Sequence, residues 1–371
     1  MSKPKSSKGS PTTLRHIAAA ANTSIVTASK ILRAKETDKL DFCSIRTAAH
    51  VREIARQLCY TPNRAARSMR TGETGMIGFV TFNLNSMGFP ENVHVYPFLI
   101  GLNHAFTTTG RHVSLIEVDE LSATTGRIPD ILRERFFDAL IVQFGPSQGA
   151  LNLLEEFNVP VIYWDSGIFR PENCIYRDEF EVGRAVTRRL LELGHRRITF
   201  CVGRGEAETN PKHYSANHRV KGYVSVMQEH GLRPRMFEGN NVEEMADHFA
   251  HAEITGIITH LGCARQLQAT NILGKRLPGD FSLLACDVGA EMNSPPFVGG
   301  ALYNRYETGR TIAQMMIERL EKKGASIPSR VLPFEVSNSS TASALLTDGD
   351  SSDKPPSVLS VSLNNNLGTI S

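Results

Sequence analysis

Ile25, Val26 and, one turn further along, Lys30 are two apolar side chains and a cation in the stretch SIVTASKIL, directly after a serine suited to cap a helix. In a helix laid in the major groove of DNA, the positions after the cap face base edges. Apolar groups there suit a thymine methyl, and a lysine can donate to guanine or to phosphate. The other reading of Ile25 and Val26 is that they belong to a small core. Downstream, Met69 stands among Arg64, Arg67 and Arg70, an apolar side chain flanked by cations, which suits a wedge in the minor groove with phosphate contacts beside it. Read otherwise, this is a linker whose methionine docks on the rest of the protein. Much later, Asp165 and Asp287 close the apolar stretches VPVIYW and FSLLAC, and Arg219 lies near a helix start. Two carboxylates and a forked donor can bind sugar hydroxyls or ring nitrogens, or the aspartates can simply cap neighbouring helices.

The elements that must position the first group are short helices. Thr13 is a cap for a helix burying Leu14, Ile17, Ala18 and Ala21, and Asn22 tolerates the left-handed turn that follows. Ser24 caps a second helix to Leu32, packed through Ala28, Ile31 and Leu32. A third, from near Ser44 to about Leu58, buries Val51, Ile54, Ala55 and Leu58. This is a helix-turn-helix layout. In TPNRAARSMRTG, Thr61 is the expected cap and Pro62 the first helical residue of a segment ending at Gly72. A helix that short is unstable alone in water, so it is expected to order when pinned between DNA and a second copy of itself.

Charge separates this region from the rest. Residues 1–72 hold 14 Lys and Arg against 4 Asp and Glu, a net of +10, whereas the whole chain is +3, leaving −7 for the remainder. A basic, phosphate-facing module therefore precedes an acidic body. Residues 1–11, rich in Lys, Ser, Pro and Gly, read as a disordered arm, and residues 342–371 read as a disordered tail, with a short added strand as the alternative. The body alternates apolar strands with helices, such as MIGFVTF, DALIVQF and VPVIYW, then RITFCV, TGIIT and FSLLACD after Asn173. That pattern implies an α/β fold with parallel sheets covered on both faces, in two lobes with a cleft at the strands' carboxyl ends. Three crossings between lobes are expected, near 173–178, 303–305 and 326–330.

Several functions are disfavoured. No phosphate-cradling glycine loop, nucleophile elbow or H-E-x-x-H is present, and the cleft candidates contain no nucleophile paired with a base, so an enzyme is not expected. The six cysteines have no CxxC pair and read as small buried hydrophobes; no metal or other cofactor is expected. His195, in LELGHRRITF, reads as a structural residue at a helix end. There is no apolar run of bilayer length and no secretory signal, so the expectation is a cytoplasmic protein without membrane partners.

With the motifs TLRHIAAAANTSIVTASKIL and YTPNRAARSMRTGETGMIGFV, the chain resembles the lactose repressor/galactose repressor family of bacterial transcriptional regulators, and the fit runs to about Thr341. The resemblance implies a helix-turn-helix domain at 12–60, a hinge helix at 61–72, and a periplasmic-binding-protein-like body at 73–341. Lobe one would comprise 73–175 and 304–326, lobe two 177–303 and 330–341. It implies that the pair Ile25 and Val26 reads the major groove, with Thr13, Ser24, Thr27, Ser29 and Lys30 also facing DNA. Asn63, Arg64, Ala66, Arg67 and Arg70 would surround the wedge Met69. Arg219, Asp287, Asp165 and Tyr303 are the implied effector-binding residues. The expected partners are a palindromic double-stranded operator, a small-molecule effector such as a sugar or related metabolite, and a second copy of the chain. The expected role is repression.

Two departures stand out. The loop from Arg33 to Cys43 is longer than is usual in the family and carries five charges, Lys35, Glu36, Asp38, Lys39 and Asp41. Leu261-Gly262 replaces a frequent Asn-Asp pair after the strand GIITH. The second departure keeps open a regulator whose cleft senses nothing, beside the less favoured alternatives of a solute-binding protein or an enzyme.

Overall fold

A computed structural model describes residues 12–34, 37–82, 95–118, 129–134, 136–143, 148–157, 159–202, 214–239, 244, 248–249, 253–260, 277–289, 297–345 and 359–360. The chain divides into two units, residues 1–74 and 75–371.

The first unit contains α1 (Leu14–Ala20), α2 (Ile25–Arg33), α3 (Ile45–Gln57) and α4 (Arg64–Thr71). Ser24 and Ser44 cap α2 and α3, each accepting the backbone N–H three residues on at 3.0 Å. Asn22 takes φ 46 in the turn between α1 and α2, the left-handed conformation its short amide tolerates. Ile17, Ala18, Ala21, Ala28, Ile31, Ala48, Val51, Ile54 and Ala55 form the core, with Leu32, Leu40, Cys43 and Tyr60 against it. Leu58, expected inside, is 40% exposed because α3 has already ended at Gln57. The cap of α4 also differs from expectation. It is Asn63, whose Oδ1 accepts the Ala66 N–H at 3.1 Å, so Thr61 and Pro62 precede the helix. Asparagine outranks threonine as a cap, and it stands at the right distance from the first free N–H groups. Gly72, at φ 73, ends the helix in the left-handed region as expected.

The second unit is built on two sheets. Its elements in chain order are β1 (Met76–Phe82), α5 (Val95–Thr107), β2 (His112–Val118), α6 (Asp130–Arg133), β3 (Ala139–Gln143), α7 (Gln148–Glu156), β4 (Val161–Trp164), β5 (Cys174–Arg177) and α8 (Glu179–Glu192). There follow β6 (Ile198–Val202), α9 (Ser215–Glu229), β7 (Arg235–Glu238), β8 (Gly256–Thr259), β9 (Ser282–Gly289), β10 (Gly299–Tyr303), α10 (Arg305–Glu321), β11 (Arg330–Leu332), β12 (Glu335–Ser337) and β13 (Leu359–Ser360). Lobe one is the parallel sheet β11-β5-β4-β3-β1-β2, and lobe two is β13-β12-β10-β9-β8-β6-β7, antiparallel only where β12 joins β10 and β13.

Apolar strand faces explain the layering. Ile77, Phe79, Ile141, Ile162 and Trp164 pack under α5 and α10, and the opposite side chains, Val80, Leu140, Val142, Val161 and Tyr163, pack on Leu132, Leu151 and Leu154. In lobe two, α8 and α9 cover Ile198, Phe200, Ile258 and Leu284. The chain passes between lobes after β5, after β10 and after β11. The third passage falls at 333–334 rather than 326–330, because Arg330, Val331 and Leu332 pair in parallel with Ile175, Tyr176 and Arg177 of lobe one.

Three further expectations need correction. The ordered chain continues past 341, since the Leu345 N–H reaches the Leu193 carbonyl at 2.8 Å, and Leu359 pairs with Val336 as the short added strand. Cys59 is exposed, at φ 47 after α3, whereas Cys174, Cys201 and Cys286 are buried. His195 is structural, yet its buried ring is no helix-end cation. Burial lowers its pKa, and Nε2 meets Ser282 Oγ at 2.9 Å, while Arg196 donates to the Leu191 carbonyl at 2.8 Å. Among the described residues no helix is long and apolar enough to cross a membrane, and no group of three or more His, Cys, Asp or Glu could hold a metal ion.

Candidate functional site

In the head, the side chains singled out on α2 stay out of the core. Ile25 is 45% and Val26 63% exposed, and Lys30 is exposed one turn beyond Val26. Both apolar residues precede Ala28 and Ile31, which fill the inward face, so the core reading of Ile25 and Val26 does not hold. Ser24 and Thr27 are tied to one another, Oγ to Oγ1 at 2.8 Å, and Ser29 offers its carbonyl to Arg33 Nε at 3.0 Å. Thr13 is exposed at the start of α1, with its N–H donating to His16 Nδ1 at 3.3 Å. On α4, Met69 is 89% exposed, and Asn63, Ala66 and Arg70 are exposed as well. The side chains of Arg64 and Arg67 lie outside the described residues.

The four cleft candidates come together in one cluster, with more charge than the sequence reading assigned to it. Asp165 follows β4 at φ 46, Asp287 lies on β9, Arg219 on α9, and Tyr303 ends β10. Between them stand three residues that sequence reasoning missed: Arg177 at the end of β5, Glu179 opening α8, and Arg305 opening α10. Arg177 contacts Asp165, Glu179 and Asp287, each at 3.0 Å. Arg219 makes a fork with Glu179, Nε to Oε2 at 2.6 Å and Nη2 to Oε1 at 2.9 Å, and donates from Nη1 to His260 Nδ1 at 3.0 Å. Asp287 also pairs with Arg305. The fork expected to be presented by Arg219 is therefore engaged by Glu179.

Lobe positions give this cluster meaning. Asp165 belongs to lobe one, and Arg305 opens α10, which packs on lobe one; Glu179, Arg219 and Asp287 belong to lobe two. Arg177 and Arg305 stand at the first and second passages between lobes, so their ion pairs join the two sides of the hinge. Burial disfavours the Asp287 charge, but Arg305, Arg177 and Arg219 overcome it and hold the carboxyl well below its ordinary range. Burial likewise opposes the charge on Arg177, and Asp165, Glu179 and Asp287 more than restore it. Tyr214 donates to Asp165 at 2.8 Å, and burial, followed by the Asp165 charge, pushes its phenol far up.

Close approach of two helices sets part of this geometry. A Cβ at Gly183 of α8 would lie 2.1 Å from the Arg219 carbonyl, and one at Gly222 of α9 would lie 2.1 Å from the Phe180 carbonyl. Only glycines allow the backbones this near, and that contact brings Glu179 against Arg219.

Several buried polar atoms of the body lack a partner among the described residues. Arg177 is stacked 5.0 Å over the Tyr303 ring, whose hydroxyl is one of these atoms. Gln143 and Trp164 end β3 and β4, Thr81 is the penultimate residue of β1, the three are neighbours in register, and their Oε1, Nε1 and Oγ1 are others. A signal for them existed in the sequence: each is a polar-tipped residue at or next to the end of an otherwise apolar strand. Leu261 and Gly262 lie outside the described residues.

A helix-turn-helix unit followed in the chain by a two-lobed body with a charged cluster between the lobes defines a ligand-responsive regulator class. The comparisons agree. The model for periplasmic binding proteins and the sugar binding domain of the LacI family matches residues 96–254, and a periplasmic binding protein-like domain model matches 187–341. The ribose operon repressor of Halalkalibacterium halodurans is 24% identical over 324 residues, 84% of this chain and 91% of that protein. The transcriptional repressor PurR of Haemophilus influenzae is 23% identical over 331 residues, 85% of this chain and 93% of its own. A lac repressor dimer bound to operator and an anti-inducer superposes with a TM-score of 0.71 at 20% identity, covering 90% of this chain and 100% of that one. In both its body and its full length the chain is similar to transcriptional repressors of the LacI family.

Proposed function

We propose that the chain is a homodimeric repressor, with residues 12–60 as its reading domain, 61–72 as its hinge and 73–345 as its sensing and dimerising body. Two α2 helices enter successive major grooves of a near-palindromic operator, and two α4 helices pair over the minor groove between them with Met69 as the wedge. The observation that carries this reading is the outward face of α2, where Ile25 and Val26 stay exposed beside Lys30 on a unit of net charge +10. Apolar side chains held in water next to cations are costly to a small domain unless a partner covers them. Recognition through a palindrome suits a dimer, because one small head buries too little surface for tight binding.

The effector is sensed in the interlobe cleft, and its class is a sugar or related metabolite. Arg177 and Arg305 join Glu179 and Asp287 across the hinge, and Arg219 forks onto Glu179 beside them, so a ligand inserted there must exchange its own polar groups for these pairs. Such exchange changes the relative free energy of two lobe arrangements, which is what an allosteric ligand requires. Calorimetry with pentoses, hexoses, nucleosides and purines tests this. One class should give heat and shift operator affinity by roughly five- to a hundredfold. Arg219→Ala should remove both effects while leaving operator binding without ligand unchanged.

A second reading has its own support. The three arginines are balanced in charge by the three carboxylates, which is the condition of a cleft that holds itself closed. No heat with any of these compounds, together with operator affinity that none of them alters, would favour that non-sensing regulator.

A further inference from the structure

Eleven residues, Ala34 to Ser44, separate α2 from α3, more than two adjoining short helices need. The second half of this loop is anchored. Leu40 and Cys43 turn inward against the head core, and Phe42, between them, turns outward and remains 46% exposed. Its ring does not face open water alone. Lys30 Nζ lies 5.3 Å from the ring centroid, so the loop puts an aromatic face beneath the cation of the reading helix.

A free lysine is a compact charge on a flexible four-carbon stem, and beside DNA it goes to whichever phosphate is nearest, a contact that carries no sequence information. Lys30 shares the exposed side of α2 with Val26, one turn away. Held over Phe42, its ammonium is confined to one place beside that apolar pair. We infer that Phe42 is a positioning residue for DNA readout, its ring aiming Lys30 at a base edge in the major groove. The occupant of this face is duplex DNA, because the surrounding unit carries net charge +10 and the ring is held against its reading helix. This inference rests on the reading of α2 as the major-groove helix.

Selection of bound sequences from random duplexes by the full-length protein tests it, with Lys30→Ala, Phe42→Ala, Phe42→Leu and Phe42→Tyr compared with wild type. Wild type and Phe42→Tyr should enrich the same base pair at one position of each half-site. Phe42→Ala, Phe42→Leu and Lys30→Ala should each weaken enrichment at that position by roughly fivefold, and Lys30→Ala combined with Phe42→Leu should lose no more than either alone. Leucine and tyrosine keep the bulk that holds the loop, so the comparison survives if alanine unfolds the head.

Wild-type enrichment in Phe42→Leu would overturn the inference, because the ring would then be only a filler. So would a loss at positions other than those affected by Lys30→Ala. A changed half-site spacing with base preferences intact would overturn it in another way, by making Phe42 a contact between two heads. If wild type selects no near-palindrome, the major-groove reading itself fails and this inference falls with it.

Discussion

Glu179 is the most enclosed charge of the cleft, its side chain fully buried and both oxygens engaged by arginine. Removing its charge while keeping its shape leaves Arg219 and Arg177 short of a counter-charge in a place water does not reach. Glu179→Gln should therefore destabilise the body by about 3 kcal/mol, read as a lower urea midpoint, since breaking one side of a buried pair costs more than the pair contributes. Asp287 adds a pH dependence. Its carboxyl is depressed in the folded protein, so its contribution is present above the ordinary aspartate range, about pH 4, and is lost as pH falls through the folded value. Asp287→Asn should lower stability at pH 7 and flatten the decline below pH 4; an unchanged acid limb would contradict this. Asp165, Asp287 and Arg219 were legible in the sequence because two are carboxylates closing apolar stretches and the third lies near a helix start, whereas Tyr303 came only from the family resemblance. Arg177, Glu179 and Arg305 were not, because they sit at passages between lobes where no periodic pattern marks one face.

At the scale of elements, the positions of α8 and α9 depend on glycine. A methyl group at Gly183 would meet backbone, which cannot move aside as a side-chain tip can. Gly183→Ala should force the helices apart, destabilise lobe two by about 1–3 kcal/mol, and blunt the effector response while α2 still binds DNA. Thermal unfolding and operator binding of the same variant check both parts. Most elements could be read in advance because strand and helix periods are strong where one face is buried, as in MIGFVTF and FSLLAC. The short strands Cys174–Arg177 and Arg330–Leu332 could not, since three or four residues hold no period, and only their mutual pairing places the third passage. The cap of α4 was misplaced for a local reason. Pro62 is a good first helical residue, but the Asn63 amide reaches the Ala66 N–H.

For the whole molecule, charge and exposure divide the work. The first 72 residues carry +10 and the rest −7, and the exposed apolar side chains of the head include Ile25, Val26, Phe42 and Met69. Phosphate binding by such a head should make affinity fall steeply with salt, whereas sequence preference should depend on the apolar contacts. Met69→Gly separates the two. It should reduce preference for the selected site while nonspecific, salt-sensitive binding and the melting of the body stay as they were. The two-lobed architecture was legible from alternation alone, and the cross-lobe ion pairs were not, because they form between residues far apart in the chain. The most direct test of the central claim is selection from random duplexes by the wild-type, full-length protein. The account predicts a near-palindrome with two equivalent half-sites, and a flat or single half-site preference would contradict it.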